Sequence, residues 1–205
     1  GQRREKLVKS LSMRKPISDT ERRKRRRRRR LQVVVIYTAL AVALAWFLES
    51  QATTTVIFVR HAEKAAQPAD DPGLSPAGER RVAELTRQLV DADVIAGIDA
   101  VYSTPFRRTE ETVRPVAEAL GLPINSYDAN DTETIMEHIV REHKGKIILV
   151  VGHSNTVPAL IGNMGASKRV PEIAEGEYDN IYIVTIPWFG KTKTIRLRYG
   201  EPYVP

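Results

Sequence analysis

From Leu31 to Leu48 the chain reads LQVVVIYTALAVALAWFL, eighteen residues without a charge, and no other stretch restricts its folding as much. As a helix rising about 1.5 Å per residue it reaches roughly 27 Å, close to the ~30 Å hydrocarbon thickness of a bilayer. The run is apolar on every face, so it lacks the polar stripe that a helix on the surface of a globular core turns to water. Trp46 lies near its outer end, where an amphipathic ring suits the membrane interface, and Glu49 closes it. Residues 31–49 are therefore expected to form a transmembrane signal anchor. A cleaved signal peptide is the competing reading, because Ser50-Gln51-Ala52 offers small residues with cleavage before Thr53. The length of both the leading segment and the apolar run favours retention.

The charge pattern supports the same topology. Residues 1–30 hold 15 Lys/Arg and 3 Asp/Glu and end in six arginines, whereas the remaining residues hold 17 basic and 22 acidic groups. The net charge of +7 thus belongs to a tail in front of a mildly acidic region. Residues 1–30 are expected to be disordered, since like charges repel and there is little to bury. Arginines before the span hold that end in the cytoplasm and send the rest to the opposite face, the periplasm in a bacterium. A nucleic-acid-binding enzyme would carry its positive field on the folded domain, so no nucleic-acid partner is expected. The chain has no cysteine, which excludes disulfides, thiolate metal sites and a thiol nucleophile.

From Thr53 to Pro205 short apolar runs alternate with amphipathic segments. Thr55–Val59, Asp99–Ser103, Leu122–Ser126 and Lys146–Val151 read as strands, with Ile181–Ile186 and Thr194–Arg198 as an edge or antiparallel pair. Helices are expected after Ser75-Pro76, with Val82, Leu85, Leu89 and Ala92 on one face, and over 106–120, bent or interrupted near Pro115. Two more are expected over 131–143 and near 157–161. This order predicts a three-layer α/β/α sandwich around a mainly parallel sheet.

In such a sheet ligands gather beyond the carboxyl ends of the strands. Three polar clusters fall there: Arg60-His61, Ser103 to Arg108, and Gly152-His153. Arginines can fork onto phosphoryl oxygens, and an imidazole can attack phosphorus or donate to an oxyanion. The segments VIFVRHAEK, YSTPFRRTEET and VVGHSNT, in this order, resemble the histidine phosphatase superfamily, in its phosphoglycerate-mutase-like branch. The resemblance runs from about Thr53 to Gly200.

It implies a phosphohistidine mechanism with no metal or other cofactor, acting on a phosphorylated small molecule. His61 matches the nucleophile, Arg60 the adjacent phosphate ligand and His153 the second pocket histidine. In the family's middle motif the arginine stands four residues after the hydroxyl residue, which selects Arg108 and leaves Arg107 as a solvated charge. His61 should present one neutral nitrogen, with the other held by a backbone carbonyl. Ala62 stands where many relatives have Gly. The acid that protonates the leaving group is not evident; Glu63, Asp131 and Glu133 are candidates by position. His138 and His143 are expected to face solvent rather than bind zinc, and the loops Glu63–Asp71 and Asn163–Tyr178 to wall the pocket. Two other readings remain open, a phosphate-binding module without efficient turnover and a protein phosphohistidine phosphatase.

Overall fold

In the computed structural model the residues described are 18–50, 53–91, 97–166, 170–188 and 190–204. The chain divides into two compact units, residues 1–49 and 50–205. Among the described residues the first unit holds one helix, α1, Asp19–Ser50. Through Leu48 it is long and apolar enough to cross a membrane. Its apolar side chains, such as Leu40 and Trp46, are exposed rather than packed in a core. The helix starts twelve residues before the apolar run, so Asp19–Arg30 is helical where disorder was expected. The Ser18 hydroxyl accepts from the Glu21 N–H and the Ser18 carbonyl from the Arg22 N–H, which starts the first turn. Arginine is a good helix former, and a nucleus in the apolar run propagates backwards through it at little cost. Residues 1–17 of the expected tail lie outside the described residues, as do Gln51-Ala52 of the possible cleavage site and Ala92.

The second unit has the expected layered build. Its strands are β1 (Thr54–Arg60), β2 (Ala100–Ser103), β3 (Ile124–Ser126), β4 (Ile147–Gly152), β5 (Asn180–Ile186) and β6 (Lys193–Arg198), in the sheet order β3-β2-β4-β1-β5-β6. β3, β2, β4 and β1 run parallel, β5 is antiparallel to β1, and β6 is antiparallel to β5. The helices are α2 (Pro76–Val90), α3 (Arg107–Leu120), α4 (Thr132–Glu142) and α5 (Thr156–Asn163). α3 carries Pro115 without interruption.

Both faces of the central strands are buried, as their near-continuous apolar sequence requires. Val56, Phe58, Ile148 and Val150 belong to one core with Met136, Ile139 and Leu160 of α4 and α5. Ile57, Val59, Leu149 and Val151 belong to the other, with Leu85 of α2 and Val113 and Val116 of α3. Gly78 in the first turn of α2 has a steric reason, because a Cβ there would stand 2.3 Å from the Glu63 carbonyl oxygen. This close approach sets the loop after β1 directly on the helix.

Candidate active site

The sheet order makes β2, β4 and β1 neighbours, so their carboxyl ends are adjacent. Arg60 pairs with Gly152 in register, and Ser103 with Val151. The His61 N–H continues the ladder to the Gly152 carbonyl at 2.9 Å. The three clusters thus meet at one cleft of about 610 Å³, whose walls include Arg60, His61, Arg108 and His153. The His61 and His153 ring centres lie 5.3 Å apart.

His61 is 4 % exposed. Its Nδ1 lies 2.8 Å from the Ala62 carbonyl oxygen. A carbonyl only accepts, so Nδ1 carries the proton and Nε2 keeps its lone pair. Ala62 is itself fixed, its N–H donating to the Thr112 hydroxyl at 2.9 Å, while that hydroxyl donates to the Arg108 carbonyl at 2.6 Å. Its methyl group is fully buried, so the site accommodates Ala at this position.

Burial, followed by the positive charges of Arg60, His153 and Arg108, pushes His61 down to about 3, against the opposing pull of the Ala62 carbonyl. Burial, then Arg108 and Arg60, pushes His153 down to about 4. Both rings are therefore neutral at pH 7. His153 Nε2 shares a 3.0 Å hydrogen bond with the Thr104 hydroxyl, and its backbone N–H donates to the Thr156 hydroxyl at 2.8 Å. Gly152 keeps this turn tight, since a Cβ there would meet the Thr156 hydroxyl at 2.7 Å and the Tyr127 hydroxyl at 2.9 Å. The remaining ring nitrogen of His153, Nδ1, is left for an oxyanion.

Arg60 is 5 % exposed and clamped from behind, with Nη1 donating to the carbonyls of Ala174 at 2.7 Å and Glu177 at 3.0 Å. Its guanidinium lies 4.1 Å from the Tyr178 ring centre. Burial lowers its pKa, opposed by Tyr178, Glu175, Glu177 and Glu63. Arg108 is half-buried in the cleft wall with its guanidinium 4.6 Å from the Phe106 ring centre. Arg107 points elsewhere, in an exposed ion pair with Glu111 at 3.0 Å. Two arginines and a neutral imidazole in the wall of one cleft can hold a phosphoryl group and attack it.

The three positional candidates for the acid do not line this cleft. Glu63 turns away to an ion pair with Arg81 at 2.8 Å. Asp131 caps α4, accepting from the Thr134 N–H at 3.2 Å, and Glu133 is exposed in the first turn of that helix. Favourable helix-terminus electrostatics account for the last two. His138 is exposed, but His143 is half-buried and shares a 2.8 Å hydrogen bond with the Tyr102 hydroxyl, so solvent is not its partner. Of the expected wall loops, Lys64 comes from the first and Ile173, Glu175 and Tyr178 from the second. Thr104 and Thr112 belong to the middle motif and could have been picked from it, whereas nothing periodic marks Glu175 or Tyr178.

Residues 56–129 match the model of the histidine phosphatase superfamily, branch 1. Among solved structures, the protein histidine phosphatase SixA complexed with tungstate is 22% identical, with 70% of this chain and 96% of that chain covered and a TM-score of 0.57. Bacillus stearothermophilus YhfR is 16% identical over 64% of this chain and 90% of that one, with a TM-score of 0.52. The mycobacterial glucosyl-3-phosphoglycerate phosphatase Rv2419c is 11% identical over 65% and 90%, with a TM-score of 0.50. At these identities the likeness is one of fold. No curated protein matches the chain at a significant level. The segment that matches the family model carries Arg60, His61 and Arg108, and the fold of the second unit is similar to that of these solved phosphatases.

Proposed function

We propose that this chain is a phosphatase that hydrolyses a phosphate monoester through a phosphohistidine on His61. The observation that carries this reading is the Nδ1 bond of His61 to the Ala62 carbonyl, which leaves a neutral Nε2 on a residue that lines the same cleft as two arginines. Nε2 attacks phosphorus as the P–O bond to the leaving group breaks, giving phospho-His61 and the alcohol. Arg60, Arg108 and His153 balance the charge on the equatorial oxygens as phosphorus moves in line. Water then attacks phospho-His61, the P–N bond breaks, and inorganic phosphate leaves with His61 neutral again. These steps call on no metal.

Helix α1 supports the further reading that the protein is a single-pass membrane protein, with its arginine-rich end in the cytoplasm and the phosphatase unit on the other side. A small-molecule substrate then has to be available on that outer face. Protease protection of the second unit in sealed vesicles tests the topology, and digestion from the cytoplasmic side would refute it.

The enzyme reading is tested with the full chain in detergent and 4-nitrophenyl phosphate. His61→Ala should lower turnover on the order of 10³-fold or more, and rapid acid-free quenching should trap a phosphoenzyme in the parent protein and none in the variant. Equal rates in the two proteins would leave a phosphate-binding module as the better description.

A further inference from the structure

The cycle above leaves one role unfilled. An alkoxide is a poor leaving group unless a proton reaches it as the P–O bond breaks, and the water that opens phospho-His61 must lose one. Among the described residues that line the cleft, Glu175 alone carries a carboxyl group.

Its setting is built rather than incidental. The Glu177 N–H donates to the Ala174 carbonyl at 3.0 Å, and the Ala174 N–H donates back to Glu177 Oε2 at 3.1 Å. Glu175 and Gly176 are therefore the two central residues of a turn closed from both ends. Arg60 Nη1 donates to the carbonyls of Ala174 and Glu177, the two end residues of the same turn. The arginine that holds phosphate thus also fixes the turn that presents the carboxyl. On the far side Gly176 lies flat against the C-terminal tail, since a Cβ there would stand 3.3 Å from the Tyr203 ring. Glu175 is exposed at the cleft wall, and its charge acts on Arg60.

We propose that Glu175 is the acid–base residue of the reaction; this rests on the phosphatase reading. In the first step the protonated carboxyl gives its proton to the leaving oxygen as Nε2 of His61 forms its bond to phosphorus, yielding ROH, phospho-His61 and the Glu175 carboxylate. In the second step that carboxylate takes a proton from the attacking water while the P–N bond breaks. Hydrogen phosphate leaves, His61 is neutral, and Glu175 is protonated for the next cycle. Over both steps a monoester dianion and water become an alcohol and hydrogen phosphate. Lys64 also lines the cleft and is the rival donor.

The test compares Glu175→Gln and Lys64→Met in the full chain in detergent, using 4-nitrophenyl phosphate and glycerol 2-phosphate. The parameter is kcat/KM, which reports the phosphorylation step and not the later hydrolysis. Glu175 sits on an exposed turn, so the glutamine variant should keep the parent melting temperature. For Glu175→Gln the alkyl ester should lose on the order of 10²-fold, the aryl ester less than about tenfold, and the basic limb of the pH profile should flatten. Phosphoenzyme should also accumulate with the aryl ester, because its hydrolysis has lost the base. Equal losses for both esters would overturn the assignment and make Glu175 a positioning or charge-balancing group. A leaving-group-dependent loss in Lys64→Met instead would overturn it in favour of the lysine. If the parent protein were no faster than His61→Ala even on the aryl ester, the phosphatase reading itself would fall, which is a separate outcome from an active enzyme indifferent to Glu175→Gln.

Discussion

Arg198 lies outside the cleft wall, yet removing it should be felt there. Its Nη1 stands 2.7 Å from both oxygens of Asp179, and its Nη2 stands 3.1 Å from Glu177 Oε1. The Asp179 side chain is 0% exposed and that of Glu177 9%, against 42% for Arg198. Burial alone would raise both carboxyls, but Asn180, Ala174 and Arg198 at Glu177, and Tyr203 and Arg198 at Asp179, hold both below the ordinary carboxylate range. Arg198→Met would leave two buried carboxylates without the guanidinium that pairs with them. Breaking a fully buried pair costs about 3–5 kcal/mol, and the water that reaches Arg198 reduces this to roughly 2–3 kcal/mol. For a domain of this size that is a melting-temperature drop of about 4–12 °C. Because Glu177 closes the turn behind Arg60, inorganic phosphate should also bind more weakly.

The loss should depend on pH with a definite sign. The folded pKa values are lowered, so the stability they contribute is complete above the unfolded value near 4 and disappears as pH falls through the folded values. The gap between parent and variant, measured by thermal unfolding in detergent, should be full at pH 7 and narrow below about pH 4. Asp179→Asn combined with Arg198→Met should recover part of the loss, since it removes one unpaired charge. A gap below about 0.5 kcal/mol at pH 7, or one constant into acid, would refute the reasoning that these carboxylates depend on the Arg198 charge.

Two further outcomes follow from the same structure. Thr104→Val keeps the shape of a fully buried residue but removes the hydroxyl that meets His153 Nε2, leaving that nitrogen short of a partner, while the Thr109 hydroxyl keeps its bonds to the Thr104 and Phe106 carbonyls. It should cost about 1–3 kcal/mol in thermal unfolding and roughly 10- to 100-fold in kcat/KM, with Thr104→Ser restoring most of both. In the phosphate-free protein, with His61 near 3 and His153 near 4, both rings should give neutral-imidazole NMR signals at pH 5. Their lowered values contribute stability that is whole above about pH 6.5 and is lost as pH falls through 4 and then 3, and titration of either ring near 6.5 would contradict the desolvated site.

The sequence by itself determined the strands, their order of appearance and the motifs at their carboxyl ends. These are local properties: a β-branched apolar run is a buried strand wherever it packs, and Arg60-His61, Arg108 and His153 follow such runs directly. It also marked the apolar helix, although not its start, because helix propagation into Asp19–Arg30 depends on a nucleus supplied by the neighbouring segment. The tertiary structure alone decided which carboxyl lines the cleft. Glu63, two residues after His61, is drawn off by Arg81, while Glu175 arrives on a turn clamped by Arg60. The clamp to Ala174 joins residues 114 apart in the chain, and no spacing or period encodes a contact over that distance. The chemistry of a strand end is therefore legible from its own residues, whereas the groups that complete a site across the sheet depend on where the whole chain folds.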